Sequence, residues 1–318
     1  MAVMKKIRIG VVGVGHLGNY HLQKYQKMPG VRIVGVSDLS SAKAESAAAA
    51  YDCEAFAKYT DLIGAVDAVS IAVPTACHYE VAKEFLAAGI DVLLEKPIAA
   101  EVAEARELIE LARRGNLIFQ VGFVERFNPA IVALEKVIDR PLFIEAHRLH
   151  PFFSRGTDVD VILDLMIHDL DIIIKFVKSP LRDVAAAGVS VLSDQVDIAN
   201  VRLSFENGCV ANVTASRVTA KTLQKIRFFG PRGYHAVDYG KRELVSLSKR
   251  TNGGSQLDIV QNPVEVKMQD PLEEEIRSFV QSVTERTPPL ISGQDALASL
   301  EVAAKIREEI RNASGMTP

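Results

Sequence analysis

Three groups of residues have types and spacings that could do chemistry. The first is Gly13-Val14-Gly15-His16-Leu17-Gly18, placed directly after the apolar run Ile7-Arg8-Ile9-Gly10-Val11-Val12 and opening a helical pattern that stops before Pro29-Gly30. In a GxGxxG turn the first glycine permits the tight bend, the second lets backbone approach a pyrophosphate, and the third lets helix pack closely on strand. The helix N-terminus then offers free N–H groups to the anion. The next strand pattern, Val31 to Ser37, ends in Asp38, twenty residues beyond Gly18, where a ribose-binding carboxylate belongs. Together these predict a dinucleotide site. A carboxylate accepts from a free 2′-hydroxyl and repels a 2′-phosphate. Leu39 and Ser40 follow with no arginine beside them, so NAD is expected over NADP. The competing reading of Asp38 is a strand-end residue that only caps a turn.

The second group is Glu95-Lys96-Pro97, after the strand pattern Asp91 to Leu94. A lysine at a strand's carboxyl end stands where open α/β sheets bind ligands, and beside a nicotinamide it could hydrogen-bond a substrate hydroxyl. Strand-end lysines are also ordinary solvated groups. The third is Asp164-Leu165-Met166-Ile167-His168-Asp169-Leu170-Asp171, inside a stretch with helical apolar spacing. Residues 164 and 168 are four apart, so their side chains share one helix face. A histidine near a carboxylate is a base for neutral pH. The plainer readings are a core histidine satisfied by Asp171, or a metal pair. No HExxH or third ligand at recognisable spacing accompanies it, so no metal site is expected.

The elements that must position these groups fall into two halves. From Lys6 to about Gln120, strand patterns at 7–12, 31–37, 67–73, 91–94 and 117–121 alternate with amphipathic stretches. One such stretch is Glu101 to Arg114, with Leu108, Ile109 and Leu111 on its apolar side and Gly115 as its stop. This is the rhythm of a parallel sheet with crossover helices. Asn128-Pro129 supplies an N-cap and a proline at the first helical position, predicting a helix to about Ile138 that opens the second half. A helix at 160–178 follows, then strand patterns near 183–193, 196–205, 209–218, 223–230, 233–239 and 243–248. Asn207-Gly208 predicts a two-residue type I′ hairpin. Residues 249–263 are polar and turn-rich, and helices near 271–285 and 294–311 close the chain. The expected fold class is α/β, a Rossmann domain over 1–124 and an α+β domain with an open, largely antiparallel sheet over 125–318. The last helix is free to pack back on the first domain.

Composition narrows the function. The chain has 318 residues, with 37 Lys and Arg against 40 Asp and Glu, a net charge of −3 that lacks the basic excess a duplex or anionic membrane would demand. No apolar run is long enough for a membrane span and no signal peptide is evident, so a cytoplasmic protein is expected. Cys53, Cys77 and Cys209 are odd in number and far apart, and read as small buried hydrophobes.

Taken in order over nearly the full length, Gly13-Val14-Gly15-His16-Leu17-Gly18, Glu95-Lys96-Pro97 and the Asp164…His168-Asp169 block resemble the glucose-fructose oxidoreductase / inositol dehydrogenase / rhizopine catabolism (GFO/IDH/MocA) superfamily. The resemblance implies an N-terminal Rossmann domain and a C-terminal domain whose open sheet often serves as an oligomer interface, giving a homodimer or homotetramer. It implies that Lys96, Asp164 and His168 are the catalytic residues and that the Lys96-Pro97 bond is cis. It implies cofactor contacts at Gly13, Gly15, His16, Leu17, Gly18, Asp38, Glu95 and Lys96. The loop Pro74-Thr75-Ala76-Cys77-His78 would add Pro74, Thr75 and His78, although His78 could equally begin a helix.

Val124-Glu125-Arg126-Phe127-Asn128-Pro129-Ala130 resembles the UDP-N-acetylglucosamine 3-dehydrogenase branch, which oxidises a sugar 3-hydroxyl to a ketone. On that reading Arg126, Arg148, Arg155 and Arg217 are candidates to meet a diphosphate, and Phe152-Phe153 could stack on a base or sugar. His168 would take the hydroxyl proton, Lys96 would stabilise the alkoxide and Asp164 would orient substrate or His168, with the base open between Lys96 and His168. All of this requires positions 96 and 168 to converge beside one redox ring. The alternatives are a dehydrogenase of a free polyol such as inositol, an NAD-dependent glycosidase, and a non-enzymatic NAD-binding regulator, which would not need all three catalytic residues.

Overall fold

The computed structural model describes residues 6–152, 159–251 and 257–314. The chain divides into two compact units. One comprises residues up to Phe123 together with Leu272–Leu297, and the other Val124–Pro271 together with residues from Ala298 on.

The first unit is built on six parallel strands, β1 (Ile7–Val12), β2 (Val31–Ser37), β3 (Glu54–Phe56), β4 (Ala68–Ile71), β5 (Asp91–Glu95) and β6 (Phe119–Gly122), in the order β3-β2-β1-β4-β5-β6. Parallel neighbours cannot be joined by hairpins. The crossovers here carry α1 (His16–Gln26), α2 (Ser41–Tyr51), α3 (His78–Ala87) and α4 (Val102–Gly115). Every residue of β4 and β5 is buried, which is why these strands show no apolar-polar alternation and carry runs such as Val92-Leu93-Leu94. The strand order reverses between β1 and β4, so the carboxyl ends of these two strands flank a topological switch point. Ile276, Phe279 and Val283, on α7 (Pro271–Glu285), join Ile9, Val11, Leu22 and Tyr25 in one core cluster. α4 ends as its Gly115 stop suggested, but Asn116 takes the left-handed cap.

The second unit holds α5 (Pro129–Leu134), β7 (Phe143–Leu149), α6 (Ile167–Val177), β8 (Leu181–Val189), β9 (Ile198–Phe205), β10 (Val210–Ser216), β11 (Leu223–Gly230), β12 (Gly233–Asp238), β13 (Glu243–Thr251) and β14 (Leu257–Asn262). The last helix, α8 (Gly293–Ser314), starts in the first unit and runs into this one. The eight strands are ordered β14-β13-β12-β11-β7-β10-β9-β8 and are antiparallel except for the β7/β10 pair. One face is apolar and buried, through Ile144, Ala146, Val201, Leu203, Val213, Ile226 and Phe228, with Phe176 of α6 set edge-on to Phe228 at 5.4 Å.

Several expectations are corrected. β7, central in its sheet, lies where no strand was expected, because its buried positions Ile144, Ala146 and Arg148 include an arginine that breaks the apolar alternation. The polar stretch after residue 248 continues β13 and contributes β14. The hairpin at Asn207-Gly208 is not type I′. Gly208 N–H donates to the Phe205 carbonyl at 3.0 Å, and of the two residues only Gly208 has positive φ, at +87°, so the loop is a three-residue turn closed by a left-handed glycine. Cys209 is buried, whereas Cys53 and Cys77 are half-buried, and all three are free thiols. Among the described residues no helix is long and apolar enough to cross a membrane.

Replacing Gly208 by alanine forces a Cβ into the left-handed region and should lower unfolding free energy by about 1–2 kcal/mol. The urea midpoint would fall at unchanged slope; an unaltered midpoint would contradict the assigned turn.

Candidate functional site

In the first unit the candidate residues gather at the carboxyl edge of the parallel sheet. A Cβ on Gly13 (φ +82°) would lie 2.5 Å from the Ala72 carbonyl oxygen, and one on Gly18 would lie 1.8 Å from the Gly13 carbonyl oxygen, so both sites exclude a side chain. A Cβ on Gly15 would meet nothing within 4 Å. No side chain caps α1 at Gly15. Open space over Gly15 beside an uncapped helix N-terminus fits a dinucleotide pyrophosphate.

Asp38 follows β2 and ties the loop down. Its Oδ2 accepts from the Val14 N–H and its Oδ1 from the Ser40 N–H, each at 2.9 Å. Turn capping and ribose binding are compatible, because a carboxylate has more acceptor positions than these two bonds use. His16 and Leu17 are exposed, as are Pro74 and the neighbour of Asp38, Leu39.

Lys96 stands at the end of β5, and the Lys96-Pro97 bond is cis, as the resemblance implied. From Asp91 to Ala99 every residue but Lys96 is buried. The preceding Glu95 is turned to the interior, with Oε1 3.0 Å from His21 Nε2. Thr75 is buried, and so is His78 at the start of α3. The His78 ring nitrogens face the Pro97 carbonyl at 2.6 Å and the Val73 carbonyl at 3.0 Å. Burial lowers the His78 pKa, against the raising effect of those two carbonyls. A neutral ring has one N–H to donate, so His78 bonds one of these carbonyls and packs against the other, filling the space between the turn after β4 and the turn after β5.

In the second unit Asp160 opens the helical segment, its Oδ1 accepting from Ile162 N–H and Leu163 N–H at 3.0 Å each. The first turn, Ile162–Met166, is a π-helix that runs directly into α6. From Asp160 to Ile173 only Asp164 and His168 are not buried. The two expected catalytic residues are thus the accessible points on an otherwise enclosed stretch of helix. A π turn advances less rotation per residue than an α turn, which brings positions 164 and 168 closer to alignment than four α-helical steps would.

Of the candidate diphosphate ligands, three are committed to buried carboxylates. Arg126 donates to both Asp171 oxygens at 2.5 and 2.7 Å. Arg148, on β7, donates to Asp169 at 2.8 and 3.2 Å and to Glu125 at 3.0 Å, and lies over the Tyr239 ring at 4.7 Å. Arg217 donates to Asp197 at 2.7 Å and to the Val159 carbonyl. Burial opposes the Arg148 charge, but Asp169 and Glu125 outweigh it and hold its pKa above the usual guanidinium value. Burial, then Asp169, raises the Tyr239 hydroxyl well above its ordinary value. These arginines act as internal counter-charges. Phe152 is exposed, while Phe153 and Arg155 lie outside the described residues. The sequence singles out neither Asp160 nor Asp197, and it does not pair Glu125, Asp169 or Asp171 with an arginine, since these ion pairs join segments distant in sequence.

Residues 7–123 match the family described as an oxidoreductase family with an NAD-binding Rossmann fold, GFO/IDH/MocA, and residues 103–235 match the GFO/IDH/MocA C-terminal domain. The chain is 35% identical over 306 residues to the UDP-N-acetylglucosamine 3-dehydrogenase of Acidithiobacillus ferrooxidans, covering 96% of this chain and 97% of that one. A solved structure of that enzyme matches with a TM-score of 0.88 at 34% identity over 97% of this chain and 99% of that chain. Similarity extends to the inositol 2-dehydrogenase of Rhizobium meliloti, 28% identical over 93% of this chain and 94% of that one.

Removing the Arg148 guanidinium leaves two carboxylates facing each other without their cation. Arg148→Met should cost about 3–5 kcal/mol of stability, read from the urea midpoint. Combining it with Asp169→Asn should recover part of that loss; equal losses would mean the pair is not coupled.

Proposed function

The chain belongs to the GFO/IDH/MocA oxidoreductase family, and from that premise we propose that it oxidises the 3-hydroxyl of UDP-N-acetylglucosamine to a ketone with NAD as hydride acceptor. The observation that carries the chemistry is accessibility: Lys96, Asp164 and His168 are the open positions in segments otherwise buried. The substrate assignment is supported by the near full-length similarity to the Acidithiobacillus enzyme.

Bound NAD would supply the hydride-accepting nicotinamide carbon, with Gly13, Gly15 and Gly18 leaving room for its pyrophosphate and Asp38 accepting from its ribose hydroxyls. The rest falls to side chains of this chain. In the proposed reaction His168 takes the hydroxyl proton as the hydride leaves carbon. Lys96 donates to the same oxygen as negative charge develops there, and Asp164 orients the substrate or the imidazole. Lys96 is the second candidate for the base. Self-association is assigned to the uncovered face of the eight-stranded sheet, where Phe143, Phe229 and Tyr234 pack as tilted rings at centroid distances of 5.7 and 5.0 Å.

Purified protein with NAD should form NADH and a keto sugar nucleotide when given UDP-N-acetylglucosamine. Turnover of myo-inositol with none of the sugar nucleotide would move the assignment to the inositol-type reading that the Rhizobium relative supports. Lys96→Met and His168→Asn should each lower kcat by about 10²–10⁴-fold with NAD binding retained. The variant that also erases the near-neutral limb of the pH profile identifies the base, and near-normal kcat in either variant removes that residue from the mechanism. Asp38→Asn keeps an acceptor for Val14 N–H but removes the charge, and should raise the NADP-to-NAD ratio of kcat/KM by roughly tenfold or more. An unchanged ratio would end the Asp38 argument for NAD.

A further inference from the structure

Beneath the sheet edge of the first unit, on the α1 side, three ionisable residues from three elements meet. His21 comes from α1, Glu95 from the end of β5 and Glu275 from α7. One ligand atom from each lies within 4.8 Å of the others. His21 and Glu275 are fully buried and Glu95 is 9% exposed. Gly122 makes room for the cluster: a Cβ there would lie 3.2 Å from Glu95 Oε2.

The hydrogen bonding around the cluster is lopsided. Both carboxylate oxygens of Glu275 are buried without a donor. Gln120, whose Nε2 donates to the Glu275 main-chain carbonyl at 3.1 Å, also keeps its Oε1 buried without a donor. A buried acceptor left unmet costs roughly 1–3 kcal/mol, more when charged, so an acceptor-rich, donor-poor pocket calls for something electropositive. A proton on Glu275 would remove one charge, yet it would still leave at least one of these three buried oxygens without a donor. Burial and the nearby Glu95 already push the Glu275 carboxyl well above its ordinary range.

The far side of the imidazole has the form of a metal-bound histidine. His21 Nδ1 lies 3.2 Å from Ser70 Oγ, and that hydroxyl lies 2.7 Å from the Tyr25 hydroxyl. An outward partner of this kind fixes the ring and aims Nε2 at the ion. We propose that His21, Glu95 and Glu275 form a structural site for a divalent transition cation, taken up as the first unit folds. One imidazole and two carboxylates suit zinc or manganese. The proposal stands on residues of the first unit alone and does not depend on the substrate.

The test is metal content. Protein expressed in medium supplemented with zinc and manganese and purified without chelator should carry close to one equivalent by plasma mass spectrometry. Glu275→Gln and His21→Gln should each lower this at least about tenfold. Chelator-treated wild type should bind Co²⁺ with ligand-field absorption, and Ser70→Ala should weaken that binding by about 10–100-fold. Metal-free wild type after supplementation overturns the site. So does equal metal content in wild type and Glu275→Gln, which would place the ion elsewhere. A metal-free Glu275→Gln protein more stable than a metal-free wild type would show that Glu275 holds a proton instead. If Glu275→Gln fails to fold, the cobalt titrations of wild type and Ser70→Ala decide: no absorption, or equal affinities, overturns the proposal.

Discussion

Two buried ion pairs fix the orientation of the helix that carries the second unit's candidate catalytic residues. Asp169 and Asp171 point inward from α6, the first to Arg148 on the central strand β7 and the second to Arg126 in the turn before α5. Burying four charges is unfavourable unless each is met, so the helix can rotate about its axis only by exposing or orphaning them. With positions 169 and 171 held inward, His168 and Asp164 are left on the accessible side. The charges that sequence reading would assign to a substrate are thus the charges that decide where the candidate catalytic side chains face.

The first unit reaches the same end by steric means. The Gly13 and Gly18 positions leave no room for a Cβ, which sets the entry angle of α1 from β1, and Asp38 pins Val14 from the next strand. His78 sits between the turns after β4 and β5, against a main-chain carbonyl of each. Polar groups here serve backbone first, and the positions left exposed or part-exposed at this edge include Gly15 to Leu17, Asp38, Leu39, Pro74 and Lys96.

Much of this was legible because local chemistry and spacing coincide. The glycine turn, Asp38, the cap at Asn128-Pro129 and the alternating strand and helix patterns are all read within a few residues, and the structure contains the elements they call for, although α5 stops at Leu134, short of the expected Ile138. What was not legible depends on pairing across distance. β7 hides behind Glu145, His147 and Arg148, whose polarity makes sense only once Asp169 is beside Arg148. The Asn207-Gly208 turn was assigned the right place and the wrong loop length, since one extra residue in the turn changes nothing in composition. His21, Glu95 and Glu275 come from positions with no shared motif, so no spacing could bring them together on paper.

The π turn at Ile162–Met166 sets a limit on how this region can vary. A widened coil holds one residue more than the ordinary cylinder requires. Deleting that residue would tighten the segment and swing everything upstream of it through about 100°, while the part anchored by Asp169 and Asp171 would keep its bearing. Volume-conserving exchanges among the buried Ile162, Leu163, Leu165 and Met166 alter packing and leave the course of the helix unchanged. A single-residue gap would instead carry Asp164 to another side of the rod, so the geometry here depends on chain length more than on side-chain identity.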